Sequence, residues 1–350
     1  PYKNILSCGF TVDEQGRKMS KSLGNGVDPA DVTSKWGADV LRLWVASADY
    51  AQDVSISDNI LKQVSDAYRR FRNTFRFLLG NLSDFDDQAN AVSNWDDLEP
   101  IDQYMMAKTA QLLADVEQAY DSFKFNGVYR AVYDFVNDLS SVYMDVTKDR
   151  LYSESPDSPR RRAVQTVLFN ILEVLVRVLS PILSFTADEV WECYPEAMRN
   201  REGRVCNVQL AGWPHRSDFV PALPGKQAEE KVLAAFVGAL EVRDVVTKAL
   251  EDARGAKVIN KSQEATVSVT APQATLDALS SFDASVFEEL FIVSGVTFAA
   301  GDELACEVKP AEGDKCPRCW NYRELGGNAN HADVCQRCGD ALDAIGFTEE

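Results

Sequence analysis

A chain of 350 residues is too long for one compact core and predicts two or three domains, with 45% apolar residues available to bury them. The formal net charge of −18 excludes a generic nucleic-acid-binding surface, because neutralising phosphates takes Lys and Arg on the contact face, so any RNA contact has to be local. A bilayer span is excluded too: the most apolar window, residues 163–183, carries Glu173 and Arg177 in its middle, and reads as a bundle helix of a soluble globular protein.

In chain order, residues 5–12 read as a strand, followed by a Gly- and Lys-rich loop and a helix bearing Val40, Leu41, Trp44 and Val45. From Ser57 to about Cys206 the pattern is helical. Ile101, Met105, Leu112, Leu113, Val116 and Tyr120 recur every three to four residues, as do Val128, Val132, Phe135, Val136, Leu139, Val142 and Tyr143, and several such stripes predict a bundle. Breakers fall at residues 94–100 and 153–159, and Ser180-Pro181 reads as a serine cap before a proline at the first helical position. The prolines of residues 213–225 mark a linker. Beyond it, residues 227–253 predict a long amphipathic helix, 266–270 a strand, 275–281 and 285–290 helices, and 291–298 a further strand. The tail from Cys306 holds too few large apolar residues to fold without a staple.

Two lysines three apart, in Arg17-Lys18-Met19-Ser20-Lys21-Ser22-Leu23-Gly24-Asn25, lie between Gly16 and Gly24, which supply the hinge conformations of a closing loop. When a carboxylate attacks an α-phosphate and pyrophosphate leaves, charge builds on phosphoryl oxygens, and preorganised ammonium groups stabilise it most in the transition state. Lys21 and Lys18 are the candidates for that role. The bland reading of an isolated pentapeptide of this kind is a solvated surface loop.

Cys316, Cys319, Cys335 and Cys338 have the spacing C-x₂-C-x₁₅-C-x₂-C, within the range for tetrahedral zinc. Four thiolates close the coordination sphere, so one structural zinc per chain is expected, with Gly339 permitting a tight turn after the second pair. Two local disulfides or a redox dithiol are the alternatives. Cys8, Cys193, Cys206 and Cys306 show no disulfide-like framework, which suits a reducing cytosol, and His331 reads as a loop histidine beside a complete ligand set. Arg318, Trp320 and Arg323 surround the pairs with cations and a flat ring suited to RNA, although Trp320 can equally pack over a small ribbon core. Arg69, Arg72 and Arg76 share one helical face and can follow an RNA backbone or pair with carboxylates such as Asp66.

Lys18 through Asn25, with Asp28-Pro29 and Gly37-Ala38-Asp39-Val40-Leu41-Arg42-Leu43-Trp44 after it, resembles the second signature and surroundings of class I aminoacyl-tRNA synthetases. Residues 68–82, the helix Val242-Arg243-x-x-Val246-x-x-Ala249-Leu250-Glu251-x-Ala253-Arg254 and Cys316-x-x-Cys319-Trp320-x-Tyr322 resemble the bacterial isoleucyl branch in particular, whereas a valine enzyme would end in a coiled coil. The resemblance implies ATP-dependent activation of isoleucine, with Mg²⁺ accompanying ATP, and transfer to the terminal ribose of its tRNA. It makes Lys18, Met19, Ser20, Lys21 and Ser22 the ATP-binding loop, with Lys21 principal, and Arg69, Arg72, Arg76, Arg318, Trp320 and Arg323 tRNA contacts.

The fold it implies is mainly α. Residues 1–56 would end a Rossmann-type catalytic domain, 57–215 form a helical-bundle anticodon-binding domain, 226–305 a small α+β domain and 306–350 a four-cysteine zinc ribbon. A cytoplasmic monomer without membrane contact is expected. The partner signature, His-x-Gly-His, is absent from a chain whose histidines are His215 and His331, and the chain opens on Pro1 as if within continuing structure. The amino-acid pocket and the hydrolytic editing domain are therefore expected upstream, and the chain alone is expected to be inactive. The rival reading is an RNA-binding zinc-ribbon adaptor without ATP chemistry, against which the Lys18 to Asn25 loop speaks.

Overall fold

The computed structural model describes residues 2–348, with Lys21 described by its backbone alone. The helices run α1 (Pro29–Trp36), α2 (Ala38–Ser47), α3 (Asp58–Asn81), α4 (Pro100–Asp121), α5 (Phe125–Asp138), α6 (Met144–Val146), α7 (Lys148–Ser153), α8 (Pro159–Leu179), α9 (Ser184–Glu192), α10 (Glu196–Arg199), α11 (Lys226–Gly255), α12 (Gln273–Leu279), α13 (Ala284–Phe291) and α14 (Gln336–Ala344). The strands are β1 (Thr11–Val12), β2 (Val54–Ser55), β3 (Ala265–Ala271), β4 (Gly295–Ala300), β5 (Ala305–Pro310), β6 (Asp314–Lys315) and β7 (Tyr322–Arg323). The chain is thus mainly helical. No helix among the described residues is long and apolar enough to cross a membrane.

Two compact units emerge: one comprises residues up to Ala89, Lys108–Asp138 and Leu168–Phe219, the other Asn90–Ala107, Leu139–Val167 and residues from Val220 onward. In the first, β1 and β2 pair in parallel, Thr11 with Val54 and Val12 with Ser55. Of residues 5–12, read as one strand from their apolarity, only Thr11–Val12 is strand, because among the described residues its ladder partner is the two-residue β2. Asp28 caps α1 by accepting the Ala30 N–H, and Ser57 caps α3 by accepting that of Ile60, so both helices start where a short polar side chain satisfies an orphan donor. The helical stripes then supply the core: Leu43, Phe71, Phe75, Leu78, Val128 and Val132 are each at most 1% exposed. Burying each of the larger side chains stabilises the fold by about 1.5–3 kcal/mol.

The cap read at Ser180-Pro181 is corrected by the structure. Residues 180–183 form a turn, the Ser180 hydroxyl donates back to the Arg177 carbonyl, and α9 begins only at Ser184. Its free N–H groups are taken instead by Asp39, whose buried carboxylate accepts from the Thr186 N–H at 2.7 Å and the Thr186 hydroxyl at 2.6 Å. Arg42, one turn on, donates to the carbonyls of Pro181 and Ile182 at 2.7 and 2.8 Å. The segment that follows the lysine loop is thereby bolted to the bundle through charged groups.

The second unit is built on a three-stranded sheet of order β4-β3-β5, with β3 parallel to β4 and antiparallel to β5. Ala265, Val267, Val269 and Ala271 of β3 point to the buried face, and α11, α12 and α13 pack against the sheet. The apolar run 291–298 divides: Phe291 closes α13, Ile292 turns in the left-handed region at φ +58°, and the strand starts at Gly295. Arg150 of α7, 1% exposed, joins the Asp102 carboxylate of α4 at 2.7 Å and both oxygens of Glu289 of α13, while the Tyr143 hydroxyl donates to Asp102 at 2.7 Å. A guanidinium is affordable in this interior because every charged partner is hydrogen-bonded.

Candidate functional site

Between Asp13 and Asn25 the chain makes a loop that is braced at its base. The Asp13 N–H donates to the Arg17 carbonyl at 3.0 Å and Gly16 turns at φ +74°. The Asp13 carboxylate accepts Arg17 Nε at 2.8 Å and Asn25 Nδ2 at 2.9 Å, while Asn25 Oδ1 accepts the Ser20 N–H at 2.9 Å. The hydrogen bonds from Arg17 and then Asn25 hold the Asp13 carboxyl well below the usual carboxylate range. Asn25 therefore ties the far end of the loop to its start. Within the loop, the Ser20 and Ser22 hydroxyls lie 3.2 Å apart, Lys21–Leu23 forms a single 3₁₀ turn, and Gly24 leaves it at φ +64°.

Lys18 and Ser22 are exposed, Met19 and Ser20 half-buried. Lys18 Nζ lies 3.9 Å from the centre of the Phe10 ring, a cation–π contact at an exposed site. The side chain of Lys21, the principal residue of the sequence reading, lies outside the described residues. The sequence reading named the pentapeptide and passed over Asp13, whose role depends on a fold that brings Asn25 back across the loop.

In the second unit, the sulfurs of Cys316, Cys319, Cys335 and Cys338 all lie within 4.8 Å of one another and all four residues are buried. The Cys319 and Cys335 sulfurs are 3.9 Å apart, close to the ~3.8 Å edge of a tetrahedron with Zn–S bonds of about 2.3 Å. Local geometry explains the convergence. The Trp320 N–H donates to the Cys316 carbonyl at 2.9 Å and the Cys316 N–H to that of Asn321 at 3.0 Å, closing the first pair after β6. Cys335 is the N-cap of α14 and Cys338 sits in its first turn, where the helix dipole favours thiolates. The Cys335 N–H points at Cys316 Sγ, 3.5 Å away. A hydrogen bond from Cys338 pulls the Cys319 thiol down and the same contact pushes Cys338 up. The donor set fits a tetrahedral zinc, which would supply structure without an open position for chemistry.

Gly339 is needed for a reason other than the one read from sequence. It lies inside α14 with no left-handed turn, and a Cβ there would meet Asn328 Cβ at 2.4 Å, so the glycine permits a close approach of helix and loop. His331 is buried with Nε2 3.5 Å from Asp343 Oδ1, apart from the cysteine quartet.

The basic residues divide by environment. Arg72 makes a two-pronged pair with Glu189, both contacts 2.7 Å, Arg69 lies 3.3 Å from Asp66, and Arg76 is exposed. Arg318 donates to the Ser153 carbonyl, Arg323 lies 3.4 Å from Glu288, and Trp320 is 48% exposed with Lys261 Nζ 4.1 Å from its ring centre. Arg318 and Trp320 line one cavity, whereas Arg323 lines another.

Three family models match: "Anticodon-binding domain of tRNA ligase" over residues 102–269, "tRNA synthetases class I (I, L, M and V)" over 1–57, and "Zinc finger found in FPG and IleRS" over 313–340. The isoleucine–tRNA ligase of Geobacillus kaustophilus is 47% identical over 97% of this chain, and that of Geobacillus thermodenitrificans likewise 47% identical over 97%. The chain spans 37% of the length of each of these relatives. A solved methionyl-tRNA synthetase of Mycobacterium tuberculosis, in complex with methionyl-adenylate, superposes with a TM-score of 0.48 at 23% identity, covering 63% of this chain and 42% of that one. Identity sustained at this level from the lysine loop to the cysteine ribbon, with the loop, the bundle and the ribbon each matched by its own model, shows that the chain belongs to the isoleucine–tRNA ligase family of class I tRNA synthetases.

Proposed function

We propose that this chain is the part of an isoleucine–tRNA ligase that supplies the ATP-phosphate loop and grips the anticodon region of the tRNA. In the whole enzyme the isoleucine carboxylate attacks the α-phosphorus of ATP, giving the aminoacyl-adenylate and pyrophosphate, and a terminal ribose hydroxyl of the tRNA then takes the aminoacyl group and releases AMP. Lys21, assisted by Lys18, meets the charge that builds on the phosphoryl oxygens, with Met19, Ser20 and Ser22 shaping the loop around the nucleotide and its Mg²⁺. Cys316, Cys319, Cys335 and Cys338 hold one structural zinc, and Arg69, Arg72, Arg76, Arg318, Trp320 and Arg323 face the tRNA. The protein acts as a monomer in the cytoplasm, and this chain alone forms no adenylate.

The observation that carries the reading is the braced loop: Asp13, Arg17 and Asn25 fix its two ends while leaving Lys18 exposed to solvent. Such a loop can close on a ligand without unravelling its base. The test is Lys21→Ala in the full-length enzyme, measured by isoleucine-dependent pyrophosphate exchange. Loss of a preorganised transition-state contact should slow adenylation roughly 10²–10³-fold, with Lys18→Ala milder. An unchanged rate would favour the RNA-binding zinc-ribbon adaptor instead.

A further inference from the structure

Phe10, just before β1, has a fixed backbone and an open ring. Its N–H donates to Asp53 Oδ1 at 2.7 Å, its carbonyl accepts the Val54 N–H at 2.8 Å, and the Gly9 N–H before it donates to the Tyr50 carbonyl at 2.9 Å. Gly9 approaches the next turn so closely that a Cβ there would meet the Gln52 carbonyl oxygen at 2.2 Å. On this rigid seat the phenyl ring is 59% exposed, so packing into the core does not account for it. What the ring does touch is a cation, the Lys18 ammonium 3.9 Å from its centre.

The register explains the contact. Val12 and Lys18 form an antiparallel bridge, and Phe10, two residues before Val12 and on the same face, is the diagonal neighbour of Lys18, within reach of a long side chain. Lys18 is thus held at two points, by its backbone against β1 and by its ammonium against the ring. The 3₁₀ turn that contains Lys21 lies beyond both points.

The chemistry of the holder matters as much as its place. A carboxylate would grip an ammonium more firmly, but it would cancel the charge that a phosphate needs. The carboxylate at the base of the loop, Asp13, is engaged by Arg17 and Asn25 instead. A phenyl face attracts the cation through its quadrupole and carries no net charge, so the full positive charge and the N–H groups on the far side of the nitrogen stay available to an anion.

We propose that Phe10 is a positioning residue for the activation step: it orders the Lys18 ammonium before the nucleotide arrives and keeps its contact while charge builds on the phosphoryl oxygens. The proposal rests on the ATP-loop reading and deepens it, because the order of the Lys18 side chain is then set ahead of the reaction and is not imposed by the ligand.

The experiment measures isoleucine-dependent pyrophosphate exchange in the full-length enzyme with Phe10 replaced by phenylalanines carrying one, two or three ring fluorines, a series that keeps the apolar shape and drains the negative face of the ring. The value of kcat should fall stepwise, by about two- to fivefold in all, with the KM for isoleucine unchanged. In Lys18→Ala the same series should be flat, because the cation on which the ring acts is gone. If the fluorines change nothing in an enzyme that Lys18→Ala does slow, or if they act as strongly in Lys18→Ala as in the parent, Phe10 has no positioning role and the ATP loop stands. A rate that rises with fluorination would overturn the role as well, marking the ring as a brake that ATP has to release. If neither Lys18→Ala nor Lys21→Ala slows the exchange, the ATP-loop reading falls and the role of Phe10 falls with it.

Discussion

The lysine loop of the first unit and the cysteine ribbon of the second are both short glycine-flanked motifs, yet they are held in opposite ways. In the loop Lys18, Met19, Ser20 and Ser22 are open to solvent or half-buried, and order comes from Asp13, Arg17 and Asn25 at its base. In the ribbon the four cysteines are themselves the core, at most 8% exposed, with Val334, Leu325 and Leu342 packed around them. A loop fixed at its hinges is free to close on a ligand and reopen, whereas a segment with no motion to make can bury its ligand atoms.

The contrast is broken most directly through the metal. Chelation, or Cys335→Ser, should unfold residues 313–340, because structural zinc contributes an apparent binding energy of about 10–16 kcal/mol in comparable small modules. The remaining helices should keep their circular dichroism. Metal analysis of protein purified under reducing conditions should return one zinc per chain; a tail that resists protease equally well after chelation would end the assignment. Next in size is Arg150→Met, which leaves Asp102 buried without its cation, Glu289 keeping its 3.4 Å contact with Arg160, and should cost about 3–5 kcal/mol in urea denaturation. A loss under about 1 kcal/mol would show that this charged cluster is not a structural anchor.

Local chemistry was legible in the sequence and long-range partnership was not. The helical stripes marked the helices of residues 58–192, the alternation of 266–270 marked β3, and the cysteine spacing marked a quartet that the fold does bring together. The start of α9 was misplaced because its N–H groups are met by Asp39, far away in sequence, rather than by the adjacent Ser180. Residues 291–298 misled because a helix end and a strand start are both apolar, and Ile292 takes the left-handed turn that glycine usually signals. Gly339 was noticed for its backbone freedom, yet the cause is Asn328, which no spacing rule places beside it.

The brace of the loop offers a pH test of smaller size. Asp13 has a folded pKa depressed by Arg17 and Asn25, so its contribution is present above the ordinary carboxylate value of ~3.9 and is lost as pH falls through the lower folded value. Amide exchange at Ser20, compared with exchange in the core of α3, should therefore quicken on acidification below about pH 3.9, and Asp13→Ala should quicken it at neutral pH. Protection that stays level in both cases would show that Asn25 holds the loop without the carboxylate.

The smallest effects separate structure from recognition on α3. Arg72→Ala removes a two-pronged pair in which both side chains are about half exposed, so it should cost at most about 1 kcal/mol of stability. Arg76 is exposed, and among the described residues no ion pair is shown for it, so Arg76→Ala should leave stability within about 0.5 kcal/mol. If this face follows phosphates, Arg76→Ala should still lower the salt slope of tRNA binding by about one. Arg72, already satisfied by Glu189, must break that pair before it can contact RNA, and its loss should weaken binding less than that of Arg76. The reverse order, at unchanged stability, would mean that Glu189 releases Arg72 on binding and that the pair is a latch rather than a strut.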